Sequence, residues 1–459
     1  MEQVNAWTKY DEVKLQELME YCEGYKDYIS SCKTERECVA ETIRQAEAEG
    51  YRDLKRVIRE KGTVKAGDKV YYNNMDKALV LFLVGKEPLE KGMKILGAHI
   101  DSPRIDIKQN PLYEDTELAM LDTHYYGWIK NYQWVALPLA IHGVVVKKDG
   151  TRLDVVIGEA EGDPVIGITD LLVHLSDKQL DKKASKVVES EDLDVLCGSI
   201  PLKGEEKDAV KANVKRLLKE KYGMDEEDFL SAELELVPAG KARDYGLDRS
   251  MVMGYGQDDR VCAYASYTAL FEMEEADRTC VCLLVDKEEI GTAGATSMQS
   301  RFFENAVAEL MNCMGEYSEL KLRRAMENSK MLSSDVSAAF DPLYPSVNEK
   351  KNAAYLAKGL TFNKYTGRGG KMMSNDTNPE FIAELRAIME KHDVAWQTAE
   401  LGRVDEGGGG TIAKFMAVYN MQVIDSGVPV LNMHAPWEIV CKVDICEAKK
   451  GYLAFLKEA

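Results

Sequence analysis

Apolar and polar positions along this chain follow two different periods. Residues 5 to about 60 carry apolar side chains at the three-to-four-residue spacing of amphipathic helices, and Thr34 and Glu37 have the spacing of a capping box. Short continuous apolar runs then predict strands at 69–73, 78–84 and 93–98, the first two joined by a turn at 73–76. From about Ser102 to Tyr245 the texture changes to β-rich pieces (133–147 and 152–158), a charged helical stretch (205–222) and acidic loops. After Tyr245 α/β alternation resumes. The pattern predicts a helix after Asp258-Asp259, a strand at 279–285, a helix at 296–314 and a strand at 330–334. A further helix opens at Asn378-Pro379, with Asn as N-cap and Pro in the first position. Strands at 421–424 and 429–433 precede a last helix from Asp444. These elements predict an α/β chain of three segments: residues 1–105, an inserted second domain at 106–245, and 246–459.

Charged side chains collect where the predicted strands stop. The run 280–285 is apolar and ends at Asp286, Lys287, Glu288 and Glu289. Neighbouring strand residues face opposite ways, so Glu288 and Glu289 can serve one site only if the backbone has already left the strand; Gly291 and Gly294 suggest that it has. Similar endings occur at Gly97-Ala98-His99-Ile100-Asp101, Ser333-Ser334-Asp335 and Met433-His434-Ala435-Pro436, while Asp258-Asp259 opens a helix. In α/β sheets the carboxyl ends of strands are where ligands sit. Imidazole and carboxylate donors without thiolate suit Zn²⁺, Mn²⁺ or Co²⁺. His99 and Asp101 are two apart, so on a strand Asp101 could accept from the second ring nitrogen of His99 and fix its tautomer. Several carboxylates around two histidines suggest one Asp bridging two metal ions.

Composition narrows the partners. A net charge of -19 argues against nucleic-acid or anionic-membrane binding. The N-terminus lacks a basic segment followed by an apolar one, so no signal peptide is expected. The ten cysteines are scattered without a CxxC pair, as expected of reduced thiols in a cytoplasm.

The ordered motifs GAHID (97–101), QDDR (257–260), DKEEIG (286–291), SSDVS (333–337) and MHAP (433–436) resemble the M18 family of metallo-aminopeptidases, the group of aspartyl aminopeptidase and yeast vacuolar aminopeptidase I. The likeness spans nearly the whole chain, insertion included. It implies a phosphopeptidase-like α/β catalytic domain, a mixed sheet flanked by helices, with an inserted β-rich dimerisation domain. It further implies dimers assembling into a tetrahedral dodecamer, peptide substrates with a free N-terminus, and two divalent ions per subunit, zinc first, with manganese or cobalt as alternatives. Carried over by motif, His99, Asp258, Glu289, Asp335 and His434 are the implied metal ligands. Glu288 is the implied general base, activating a water that bridges the metals, and Asp101 the implied orienter of His99. The resemblance also implies a cis peptide after the bridging Asp, which assigns Asp258 rather than Asp259.

Other candidates stand beside these. His142 ends an apolar run in the inserted domain, where a lone histidine is ordinarily structural, yet the family's similar LAIH segment reaches a neighbouring subunit's site. The glycines around Gly408 and Gly409 read as a flexible loop; in the family the matching loop lies beside the site, and its backbone N–H groups could hold substrate. Lys364, Arg368 and Lys371 could form a pocket for acidic side chains. A di-metal deacylase or carboxypeptidase of the same catalytic type is the alternative function, although such enzymes usually carry their insertion after the third motif. A scaffold shell with a dead site is a non-enzymatic alternative, and the presence of Glu288 and all ligand positions speaks against it.

Overall fold

The computed structural model describes residues 4–459, and the chain divides into two compact units. The first comprises the chain up to Asp101, Ala242–Met433 and Glu438–Ala459. The second comprises Ser102–Lys241 and His434–Trp437. The boundaries expected at 105/106 and 245/246 therefore fall at Asp101/Ser102 and Lys241/Ala242, and a short return near the C-terminus joins the second unit.

The first unit is built on a nine-stranded sheet. In spatial order its strands are Arg52–Asp53, Lys69–Asn74, Ala78–Leu83, Cys280–Val285, Lys94–His99, Lys330–Ser333, Gln422–Gly427, Leu360–Asn363 and Trp396–Thr398. The four strands Cys280–Val285, Lys94–His99, Lys330–Ser333 and Gln422–Gly427 run parallel, flanked by antiparallel partners. Both faces are covered, which explains the unbroken apolar runs. Alternate residues feed two cores: Leu96, Cys282, Leu284, Leu332 and Ile424 on one side, Ile95, Val281, Leu283, Met331 and Val423 on the other. Helices Glu12–Ser31, Gln257–Phe271 and Lys442–Glu458 contribute to the first core, and Phe302–Cys313 to the second. A second, five-stranded sheet of this unit pairs Met251–Gly254 with Glu438–Cys441.

Local signals behaved unevenly. Thr34 accepts from Glu37 N–H while Glu37 accepts from Thr34 N–H, completing the capping box. Pro379 does open its helix, but Asn378 makes no side-chain cap bond. The helix expected over 296–314 begins only at Phe302, because Thr296 and Ser297 are held in turns.

The second unit is a six-stranded antiparallel sheet ordered Arg152–Ile157, Leu139–Val146, Ala232–Pro238, Arg104–Asp115, Leu118–Tyr126 and Val195–Gly198, with helix Ala209–Tyr222. The long hairpin 104–126 was hidden in the sequence: its alternation breaks where the register shifts between Ile107 and Leu112. No helix among the described residues is long and apolar enough to cross a membrane. All ten cysteines are free thiols.

Candidate metal centre

Parallel pairing sets the geometry of the site. His99, the last residue of its strand, lies in register with Val285, and Ser333 pairs with Gly97. The strand ends therefore place His99, Asp335 and the turn after Val285 side by side. That turn leaves the strand at Lys287, which takes a left-handed conformation (φ 70°, ψ 20°) and starts a single 3-10 turn, Glu288–Ile290, closed by Gly291 at φ 93°. This break in the two-residue alternation lets Glu288 and Glu289 face one place.

His99 is buried, and its Nε2 lies 3.2 Å from Asp258 Oδ1 and 4.0 Å from Asp335 Oδ1. Donor atoms of His99, Asp258 and Asp335 lie within 4.8 Å of one another, as do those of His99, Glu288 and Glu289. Burial opposes a charged His99 ring, yet the surrounding Asp101, Asp258 and Asp335 carry its pKa well above the ordinary imidazole range. Asp335 is itself raised well above the usual carboxylate value, by burial first, with Asp258 and Glu288 adding to it and His99 opposing. Such crowding of desolvated carboxylates around one imidazole is what bound cations would relieve. The donor set, nitrogen and oxygen without sulfur, fits zinc.

Asp101 sits two residues beyond the end of its strand. The shortest contact of His99 Nδ1 is the main-chain carbonyl of Asp101 at 3.0 Å; the carboxylate is 3.4 Å away. A carbonyl can only accept, so this contact places a proton on Nδ1 and turns Nε2 toward Asp258 and Asp335. The Asp101 carboxylate instead accepts from Glu288 N–H and Glu289 N–H, both at 3.1 Å. It thus holds the turn carrying the two glutamates as well as lying beside His99.

The Asp258-Asp259 peptide is cis, and Asp258 N–H donates to Glu438 Oε2 at 3.1 Å. Gln257, fully buried, accepts from Tyr25 OH and donates to Val252 O and Glu438 O. Glu438 and Gln257 were not anticipated; both lie inside or beside the motifs, but only the pairing of Gly254 with Glu438 shows what they touch. Asp425 was also missed. It is in register with Ser333 and accepts from Thr411 Oγ1 at 2.7 Å.

The remaining candidates make contacts within their own units. His434 groups with the second unit, where its Nδ1 is 2.9 Å from Trp128 O. His142 is buried in the same unit with Nε2 3.2 Å from Glu159 Oε1. Gly408 has φ 125°, and a Cβ there would meet Arg368 backbone at 2.6 Å. Gly409 N–H donates to Thr366 O at 3.0 Å, so this amide is engaged within the loop. Lys364 and Lys371 both pair with Asp376, so two exposed ammonium groups share one carboxylate.

A doubly covered α/β sheet with histidine and carboxylates gathered at its strand ends defines a metal-dependent hydrolase. The family model described as aminopeptidase I zinc metalloprotease (M18) matches residues 28–456. The chain is 66% identical to a probable M18 family aminopeptidase 1 of Clostridium acetobutylicum, over 98% of this chain and 97% of that one. A crystal structure of an M18 aminopeptidase from Thermotoga maritima matches with TM-score 0.96 at 42% identity, covering 100% of both chains. A yeast aminopeptidase dodecamer, 20% identical with TM-score 0.77 over 95% of each chain, shares the fold. The chain belongs to the M18 family of zinc metallo-aminopeptidases.

Proposed function

We propose that this aminopeptidase works with two divalent ions, held by His99, Asp258, Glu289, Asp335 and His434, with Asp258 as the bridge and Glu288 as general base. The observation that carries the reading is the crowding of four carboxylates, of Asp258, Asp335, Glu288 and Glu289, whose donor atoms come within 4.8 Å of the His99 ring. Bound there, the ions would supply Lewis acidity and lower the pKa of water.

The chain's own residues do the rest. Glu288 takes the proton of the attacking water and returns it to the leaving amine. Asp101 fixes the Glu288–Glu289 turn through two backbone N–H groups, and its carbonyl fixes the tautomer of His99. His142 and the loop at Gly408 are assigned to substrate contact, Gly409 only if its bond to Thr366 opens.

Assembly is assigned to the inserted unit. Leu172, Val173 and Leu175 are 54%, 69% and 69% exposed in a single chain, an apolar segment that a second copy would cover, and a tetrahedral dodecamer is the proposed state. Ten free thiols favour a cytoplasmic setting.

Release of free amino acids from unblocked and N-acetylated peptides, alongside zinc content, tests the reading. Cleavage of unblocked peptides only, with two zinc ions per chain, is expected. Equal cleavage of acetylated peptides would favour the deacylase or carboxypeptidase reading, and one ion per chain would end the two-metal one.

A further inference from the structure

Arg260 is a guanidinium with no exposed surface, placed directly after Asp258-Asp259. Its Nε donates to Ile100 O at 3.2 Å, and its Nη2 donates to Lys33 O at 2.9 Å. The guanidinium carbon lies 5.2 Å from the centre of the Tyr255 ring. Ile100 is the residue between His99 and Asp101, and its own N–H donates to Val285 O at 2.9 Å, where the strand gives way to the Glu288–Glu289 turn. The backbone of one residue, Ile100, therefore links three site-bearing segments: its carbonyl is held by the Asp258 helix, its N–H grips the turn strand, and it has a candidate ligand on one side and Asp101 on the other.

Burying a cation is costly unless it gains strong polar partners, and an apolar residue would fill this core position at lower cost. A guanidinium has a rigid fork of donors that can hold two carbonyls at a set separation; an ammonium is a compact point charge without that fork. We infer that Arg260 is a positioning residue of the metal centre, fixing the spacing between the strand end that carries His99 and the helix start that carries Asp258. The role rests on the two-metal reading, since it is those donors that Arg260 spaces.

Arg260→Lys tests it, using full-length protein and zinc ion alone as the probe. The readouts are zinc affinity by competition with a chelating indicator, the zinc-induced rise in Tm, and kcat and KM. Groups that orient metal ligands typically change metal affinity by about 10–100-fold when altered. The expected result is a loss of at least about 10-fold in zinc affinity, a smaller zinc-induced rise in Tm, and a fall in kcat with KM nearly unchanged. A purely structural Arg260 would lower the Tm of metal-free and zinc-loaded protein equally and leave zinc affinity intact, which would overturn the inference. If Arg260→Lys does not fold, Tyr255→Leu keeps the guanidinium but removes the ring beside it, and a weakened zinc affinity is again required. Wild-type protein that bound fewer than two zinc ions would instead overturn the two-metal reading.

Discussion

At Asp101 the main-chain carbonyl meets the His99 ring, while the side chain holds the Glu288–Glu289 turn. Asp101→Asn presents one oxygen and one amide NH₂ where two backbone N–H groups, of Glu288 and Glu289, now find acceptors. The NH₂ cannot accept, so one end of the turn is released. Activity should fall about 10–100-fold while His99 keeps its backbone acceptor and zinc content stays near two. Loss of zinc from this variant would show that the carboxylate, not the carbonyl, holds His99. Glu288→Gln keeps the shape of the turn and removes the base, so turnover should drop about 100-fold or more with zinc retained; near-normal turnover would strip Glu288 of that role. Asp425 gives a pH test. Burial pushes its carboxyl from 3.8 up to about 6, against hydroxyl bonds from Thr411 and Ser333 that favour the charged form. The folded chain thus keeps a proton that the unfolded chain releases, and this contribution to stability is lost as pH rises from 3.8 through about 6. Asp425→Asn cannot titrate, so its unfolding free energy relative to wild type should rise across that window. A flat difference in denaturant titrations would refute the assignment.

Among the elements, the strand Gln422–Gly427 decides where Asp335 sits. A Cβ at Gly427 would stand 1.8 Å from Asp335 O, a backbone atom that cannot swing aside. Gly427→Ala should therefore push the Asp335 segment away, costing about 1–3 kcal/mol of stability and weakening zinc binding together. Gly97 offers a contrast, because a Cβ there meets the flexible end of Met331 at 2.3 Å. Gly97→Ala should lose less zinc affinity than Gly427→Ala, and the reverse order in a zinc titration would contradict the backbone argument.

For the whole molecule, the second unit carries exposed apolar positions that its own sheet does not use. Leu172→Asp with Leu175→Asp should lower the assembled mass seen by sedimentation without unfolding the chain, because both side chains are exposed in the single subunit. An unchanged mass would move the interface elsewhere. The second unit also contains Trp128, whose carbonyl meets His434 Nδ1, so cutting the insertion out would disturb a candidate ligand as well as assembly.

Residue types and their order along the chain were enough to mark the parallel strands, the charged strand ends, and His99, Asp258, Glu288, Glu289 and Asp335 as candidates, because apolar periodicity and donor chemistry are local properties. They were enough, too, for the family resemblance. What folding alone decided were the contacts between segments far apart in the chain. Arg260 reaches Ile100, Asp101 reaches the Glu288–Glu289 turn, and Gly427 makes room for Asp335. Each depends on sheet register and on which backbone group is left to bond, and neither is written in hydrophobic spacing. The same holds for Lys364 and Lys371: the sequence shows two cations in a loop, and only the folded loop brings both to the one carboxylate of Asp376.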